Sequence, residues 1–256
     1  MTNMLPKVGS FQFHIESYVC DFRGKATLPV ICNFILQAAT THAQERGFGY
    51  EAISKDQTAW VLSRFSIELY DHPGYDQDLT VDTWIEDVTH YFTQRCFRII
   101  NQEGKIIGYA RSIWAAIDVQ TRRPKDLLAW RPDLLDYIDN TIECPLEKPS
   151  KIPAVEGEPI MGYSVRYSDI DINRHMNSIK YLEHTLNIFD LDIFKQKDIR
   201  KLEMVYLAEG MFGEKLKLYK QEINPDEFLI DTKRGEESIC RSRIIWLKRA
   251  VEGYPY

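Results

Sequence analysis

A helix followed by a run of strands occurs twice along these 256 residues, and that recurrence restricts the fold more than any single motif. In the first half, residues 28–47 read as a helix. Pro29 suits a first turn, Ile31, Phe34, Ile35, Ala38, Ala39 and His42 recur at helical spacing, and Gly47 can end it. Strand-like segments at 60–70, 79–87, 89–102 and 105–119 follow, rich in β-branched and aromatic residues, with Gln102-Glu103-Gly104 as a hairpin turn. The second half repeats the order: a short strand near 163–167, a helix over 176–189, then strands at 200–208, 215–223, 227–233 and 238–249. Ala110-Arg111-Ser112-Ile113-Trp114 resembles Ser242-Arg243-Ile244-Ile245-Trp246 at an offset of 246 − 114 = 132. Asn33 and Asn177, each just inside its helix, differ by 144. A drifting offset of this kind is what a duplicated module with shortened loops produces.

Six of the eleven prolines fall between Pro124 and Pro159, a density that interrupts helices and strands alike and marks a connection just past mid-chain. Two modules are therefore expected, residues 1–145 and 146–256. One helix with a short strand before it and a long antiparallel meander after it suggests a sheet wrapped around a buried central helix. That is the hot-dog architecture, and two copies give an α+β double hot dog; the competing architecture is an α+β sandwich of two unrelated halves.

Lys plus Arg is 32 against 38 for Asp plus Glu, a net charge of −6, so the chain lacks the bulk basic charge that drives binding to nucleic acid. The five cysteines are scattered, with no Cys-x-x-Cys pair, which makes a disulfide framework and a structural zinc improbable. No run approaches the roughly 18 apolar residues of a membrane span, and the first ten residues carry no charged segment leading into an apolar stretch. A soluble, reducing, cytoplasmic setting is expected.

The densest polar cluster is the stretch 168–177, between a predicted strand and a predicted helix. Asp171, Asn173 and His175 are spaced i, i+2, i+4, so in an extended or turning segment their side chains can converge on one side. The free N–H groups and dipole of a helix start favour negative charge, such as the oxyanion formed when a carbonyl is attacked. Spacing alone equally allows Asp171 or Asn173 to be a helix cap. A metal site would need further ligands, and no HExxH pair occurs. No G-x-S-x-G elbow, Rossmann glycine pattern or P-loop is present either.

Asp171-x-Asn173-x-His175-x-Asn177, followed by Lys180-Tyr181, resembles the signature of the fatty acyl-ACP thioesterases, the plastid enzymes of plants and their bacterial relatives. The similarity continues in the first half. Gln37-Ala38-Ala39, the run from Ala59 to Arg64, Thr83-Trp84, Arg95, Ser112-Ile113-Trp114, Asp118 and Thr121-Arg122-Arg123-Pro124 are similar to the family pattern in order and spacing. The resemblance implies a double hot dog with catalysis in the second copy, hydrolysing fatty acyl-acyl carrier protein to free fatty acid and so terminating fatty acid synthesis. Water is the second substrate, with no cofactor and no metal. It also implies roles for Asp171, Asn173 and His175, and for a glutamate three residues after a strand tyrosine, which is Glu209 after Tyr206. Plant members carry a cysteine directly after that glutamate; this chain has Gly210, which puts a thiol mechanism in doubt.

Hydrolysis is then expected to use water activated by Glu209 as general base. Asn173 and helix N–H groups would hold the thioester oxygen, His175 would bind the thioester or protonate the thiolate, and Asp171 would fix its neighbours. Exchanging the two carboxylates, or direct attack to give an anhydride, is an equally serious version. For Glu209 on its own, the plain reading is a solvated residue at a strand end. In the first copy no Asp-x-Asn-x-His precedes the helix, and alignment places His72 near the position of Glu209.

The resemblance implies that the first copy houses the acyl chain. Phe34, Trp60, Phe65, Trp84 and Trp114 are candidate lining, with plain core as the alternative for each. Acyl carrier protein is acidic, so two basic clusters are candidate docking sites: Arg122, Arg123 and Lys125, and Lys195, Lys197, Arg200 and Lys201. Either may instead be a solvated loop. A second copy of the chain, as a homodimer, is the other partner allowed for. Two competing functions remain at this stage: a hot-dog thioesterase acting on acyl-CoA, and a non-catalytic acyl-carrier-binding or lipid-binding double hot dog.

Overall fold

The computed structural model describes residues 5–249 and divides between Pro149 and Ser150 into two compact units. In chain order the first unit contains β1 (Gly9–His14), α1 (Leu28–Glu45), α2 (Tyr50–Ser54), β2 (Thr58–Leu69), β3 (Asp78–Val88), β4 (Thr93–Asn101), β5 (Ile106–Asp118) and α3 (Leu127–Trp130). The second contains β6 (Met161–Ser164), α4 (Ser178–Leu186), α5 (Leu191–Gln196), β7 (Lys197–Tyr206), β8 (Lys215–Asn224), β9 (Glu227–Arg234) and β10 (Glu237–Lys248). The first unit's strands are ordered β1-β3-β4-β5-β2 and the second's β6-β8-β9-β10-β7, which is the same order position for position. All of these pairings are antiparallel.

Helix α1 forms where the sequence predicts it, with Pro29 in its first turn and Gly47 just past its end at φ +75°, a conformation glycine adopts at little cost. Its buried stripe of Ile31, Ile35, Ala38, Ala39, His42 and Ala43 recurs at helical spacing. Ala43 and the following Phe48 pack with Ile85, Val88 and Ala116, which places α1 against one face of its sheet. Along β3 side chains alternate, and Trp84 instead belongs to a second cluster with Cys96, Cys144 and Leu146.

That second cluster explains the position of the unit boundary, a little beyond the expected break at 145/146. Arg111 donates from Nη2 to the Cys144 carbonyl (3.1 Å) and from Nε to the Leu146 carbonyl (2.5 Å), while Arg64 donates to the Pro149 carbonyl (2.9 Å). Residues 144–149 are thus tied to the first sheet. Past the boundary, Ile152 and Val155 pack with Val205, Tyr219 and Leu229 of the second.

Some elements differ from the sequence expectation. The second helix begins at Ser178 because the Asn177 side chain accepts the Ile179 N–H (2.8 Å), and the expected strand near 163–167 is shorter, with Tyr167–Asp169 forming a 3-10 turn. Asn33 lies inside α1, past its first turn, so the 144-residue offset is not the structural one. Thr27 holds the N-cap place in α1 that Asn177 holds in α4.

Candidate functional site

The loop from Asp171 to Met176 is built by one carboxylate. Asp171 Oδ1 accepts the backbone N–H groups of Asn173 (2.8 Å) and His175 (3.4 Å), and the Asp171 N–H donates to the His175 carbonyl (2.9 Å). The chain reverses through Arg174 at φ +66°. Neither Asp171 nor Asn173 caps the helix, since Asn177 does that, so Asp171 is a loop organiser. Asn173 is left on the exposed side of the turn and His175 on the half-buried side.

A second brace holds the turn just before this loop. Buried Asp169 accepts the Arg166 N–H through Oδ2 (2.7 Å) and meets His184 Nε2 of α4 through Oδ1 (3.3 Å). The His184 ring stacks on Tyr163 of β6 with centroids 3.8 Å apart.

Glu209 lies just past β7. The Leu207 and Ala208 N–H groups donate to the Ile239 carbonyl (2.9 and 3.2 Å), and the Met176 N–H donates to the Gly210 carbonyl (2.8 Å). This fastens the segment against the end of the Asp171 loop. Glu209 Oε1 then stands 3.2 Å from His175 Nδ1, with the His175 and Glu209 side chains 22% and 32% exposed, so the pair is sheltered yet reachable by solvent. Of the four residues expected from the sequence, three share one loop and the fourth contacts the histidine.

Position 210 has little room for a side chain. A Cβ there would lie 2.8 Å from the Tyr181 hydroxyl oxygen and 3.4 Å from Met176 Cβ, so a thiol at this place would require Tyr181 to move. The five cysteines are unpaired, and burial pushes the Cys32 and Cys240 thiols well above their usual range.

The first unit carries the same loop. Asp21 Oδ1 accepts the N–H groups of Arg23 (2.8 Å) and Lys25 (3.1 Å), the Asp21 N–H donates to the Lys25 carbonyl (2.8 Å), and the chain reverses through Gly24 at φ +70°. The Ala26 N–H donates to the Pro73 carbonyl (2.9 Å), as Met176 does to Gly210, which makes His72 the counterpart of Glu209. Asp-x-Asn-x-His thus becomes Asp21-x-Arg23-x-Lys25, and the Arg23 guanidinium binds the Asp21 carboxylate (Nε to Oδ2, 2.7 Å).

The remaining candidates divide. Trp60, packed on the cluster of Ala43 and Ile85, lies on the face that α1 covers, donating Nε1–H to the Phe48 carbonyl (2.9 Å). Trp114 pairs with Leu62 and Thr93 and donates to Ser112 Oγ (2.8 Å), Phe65 is fully buried, and Phe34 of α1 stacks on Phe13 at 4.6 Å. Trp84 packs in the second cluster, with Cys96, Cys144 and Leu146.

Among the basic candidates several have partners within their own units, Lys195 with Asp192 (2.8 Å) included. Lys125 donates to Thr58 Oγ1 (2.6 Å) and the Asp56 carbonyl (2.9 Å), Lys197 pairs with Asp226 (2.7 Å), and Lys201 lies 3.4 Å from Glu203. Arg200 is half-buried, while Arg122 and Arg123 are exposed. A cleft of about 450 Å³ lies between β1 and α1, lined by Ser10, Phe11, Gln12, Phe13, Gln37 and Thr41, with no acidic, histidine or cysteine side chain. Among the described residues no helix is long and apolar enough to cross a membrane.

A helix laid on a five-stranded antiparallel sheet, present twice in one chain with the same strand order, defines a double hot-dog protein. The sequence model of the acyl-ACP thioesterase N-terminal domain matches residues 6–131, that of the C-terminal domain matches residues 154–248, and the chain belongs to the acyl-ACP thioesterase family. An acyl-ACP thioesterase from Bacteroides thetaiotaomicron is 41% identical, with a TM-score of 0.89 over 94% of this chain and 98% of that one. The 12:0-ACP thioesterase of Umbellularia californica shares the fold, with a TM-score of 0.82 at 19% identity over 95% of each chain. Oleoyl-acyl carrier protein thioesterase 2, chloroplastic, of Arabidopsis thaliana is 25% identical over 214 residues, which are 77% of this chain. The match spans 58% of that relative's own length.

Proposed function

We propose that the chain hydrolyses the thioester between a fatty acyl group and the phosphopantetheine arm of acyl carrier protein, releasing free fatty acid and ending acyl chain growth. The contact between His175 Nδ1 and Glu209 Oε1 carries this reading, because it couples a carboxylate base to a proton carrier in a half-exposed place. Glu209 takes a proton from water, and the resulting hydroxide oxygen bonds to the thioester carbonyl carbon. The exposed Asn173 amide donates to the carbonyl oxygen as it gains charge. Collapse breaks the C–S bond, and His175 delivers a proton to the departing sulfur. Asp171 supports the geometry: one of its oxygens already receives two backbone N–H groups, which favours Glu209 over Asp171 as the base.

The second unit, from Ser150, is in this reading the catalytic module and the first the acyl-binding module, with Phe34, Trp60, Phe65 and Trp114 as lining. Arg122, Arg123 and Lys195, all exposed, are the basic candidates that an acidic carrier could reach. A reducing, cytoplasmic setting accords with five unpaired cysteines.

The test uses the full chain with one acyl group on two carriers, acyl carrier protein and CoA, and measures fatty acid release. Higher kcat/KM on the protein carrier is expected, and a clear preference for CoA overturns the substrate. Glu209→Gln is expected to lower kcat by ~10²-fold or more. Near-normal turnover of the folded variant removes Glu209 as the base.

A further inference from the structure

The peptide group joining Glu209 to Gly210 is held more firmly than the fold requires. Two of the bonds holding this segment occur in both units. Met176 N–H to the Gly210 carbonyl corresponds to Ala26 N–H to the Pro73 carbonyl, and Met211 N–H to Glu214 Oε2 (2.9 Å) corresponds to Gly74 N–H to Gln77 Oε1 (2.7 Å). Bonds present in both copies belong to the shared scaffold.

Two further bonds are made by residues whose counterparts in the first unit are of a different type. The Gly210 N–H donates to the Tyr181 hydroxyl oxygen (2.8 Å), and Arg234 Nη1 donates to the Glu209 carbonyl (3.2 Å) while also reaching Glu214 Oε1 (2.9 Å). In the first unit Pro73 stands where Gly210 does and has no N–H. Counting from the shared loop, buried Ile31 of α1 takes the place of Tyr181 and offers no oxygen. Strand register puts Asn101 at the place of Arg234, and its side chain accepts the Glu103 and Lys105 N–H groups of its own turn. Both extra bonds converge on one peptide group, the one joining Glu209 to Gly210. Tyr181 is 3% exposed, its ring rests edge-on against Tyr206, and burial keeps its hydroxyl protonated.

We propose that Tyr181 and Arg234 are positioning residues that fix, from its two sides, the peptide plane joining Glu209 to Gly210 and so aim the Glu209 carboxylate at His175 and the attacking water. This rests on Glu209 as the base. A carboxylate whose side chain springs from a peptide that can swing loses the orientation that makes proton transfer fast, and displacements on the order of 1 Å cost up to ~10²-fold. The N–H of the peptide joining Glu209 to Gly210 is held by the Tyr181 oxygen and its carbonyl by the Arg234 guanidinium, so each residue fixes one side of the same plane.

The experiment measures kcat, KM and Tm for Tyr181→Phe, Arg234→Gln and Glu209→Gln, and for each positioning variant combined with Glu209→Gln. Tyr181→Phe and Arg234→Gln are each expected to lower kcat by about 10-fold with KM within about 2-fold. In the Glu209→Gln background the same changes are expected to have almost no effect, because residues acting through one group are not additive. Wild-type kcat in both positioning variants, beside a slow Glu209→Gln, overturns the positioning role alone. So does a loss of equal size in the Glu209→Gln background, since that loss belongs to the fold. Normal turnover of Glu209→Gln overturns the reading of the base and the positioning role with it. Should Arg234→Gln not fold, Tyr181→Phe, which keeps the buried ring, decides.

Discussion

The loops that open the two helices have one backbone and two chemistries. In each, an aspartate accepts two N–H groups, a residue with positive φ reverses the chain, and the next segment is fastened to the end of a strand. At the four matched positions the first unit has Asp21, Arg23, Lys25 and His72, and the second has Asp171, Asn173, His175 and Glu209. Arg23 neutralises its aspartate, whereas Asn173 contributes no charge and faces outward. The turn is therefore a property of the duplicated scaffold, and the reactivity proposed above rests on side chains, Asn173 and His175, that the turn displays without needing them.

The sharpest way to break this contrast is to write the first loop into the second. Asn173→Arg with His175→Lys is expected to reduce turnover by ~10²-fold or more while leaving Tm nearly unchanged, since the first unit already folds the same turn around those residue types. Activity assays beside calorimetry check it, and a large fall in Tm would mean that the two loops are less alike than their hydrogen bonds.

The matched aspartates separate structure from chemistry next. Asp171→Ala and Asp21→Ala should each cost about 1–2 kcal/mol, because each strands two N–H groups, and only Asp171→Ala should slow hydrolysis strongly. Equal losses of activity would refute the division of labour.

The smallest effect concerns the helices. α1 runs a full second half beyond the equivalent of α4, and that half buries His42, whose Nε2 meets the Lys7 carbonyl at 3.0 Å. Burial, with Arg95 and Arg46 nearby, lowers its pKa from 6.5 to about 3. A depressed folded value means that only the unfolded chain takes up the proton in that window. Stability from neutral His42 is full above about pH 6.5 and declines toward pH 3, on the order of 1 kcal/mol per pH unit. Urea midpoints between pH 7 and 5 should fall less steeply in His42→Gln than in the parent chain, and parallel slopes would contradict it.

The sequence carried the strands well, because β-branched and aromatic alternation is a local signal that survives in each copy. The 132-residue offset at Trp114 and Trp246 matches the strand pairing, in which Gly108 and Cys240 stand opposite the equivalent strand ends Leu69 and Tyr206. The 144-residue offset through Asn33 failed, because a mid-helix asparagine and a capping asparagine look alike without geometry. Asp171, Asn173 and His175 were visible as one contiguous run. Glu209 stood out only through the family resemblance, since its contact with His175 joins distant parts of the sequence. The matched loop around Asp21 was hidden by its changed side chains, although both aspartates stand seven residues before their helices, Leu28 and Ser178, a spacing that could have revealed it. Tyr181 was visible only as part of the family signature, and Arg234 gave no signal, because what they touch is backbone.

The connection between the units, described above as tied down on both sides of Pro149, also limits how this chain can be rearranged. Its first part roofs Trp84 and Cys96, and its second roofs Val205, Tyr219 and Leu229. Neither part is free tether. Recombining the second unit with another first unit would succeed only at a joint that leaves residues 144–149 behind and takes Ile152 and Val155 along. A joint a few residues to either side would strip one sheet of its cover and leave a greasy strip on the other half with nothing to shelter.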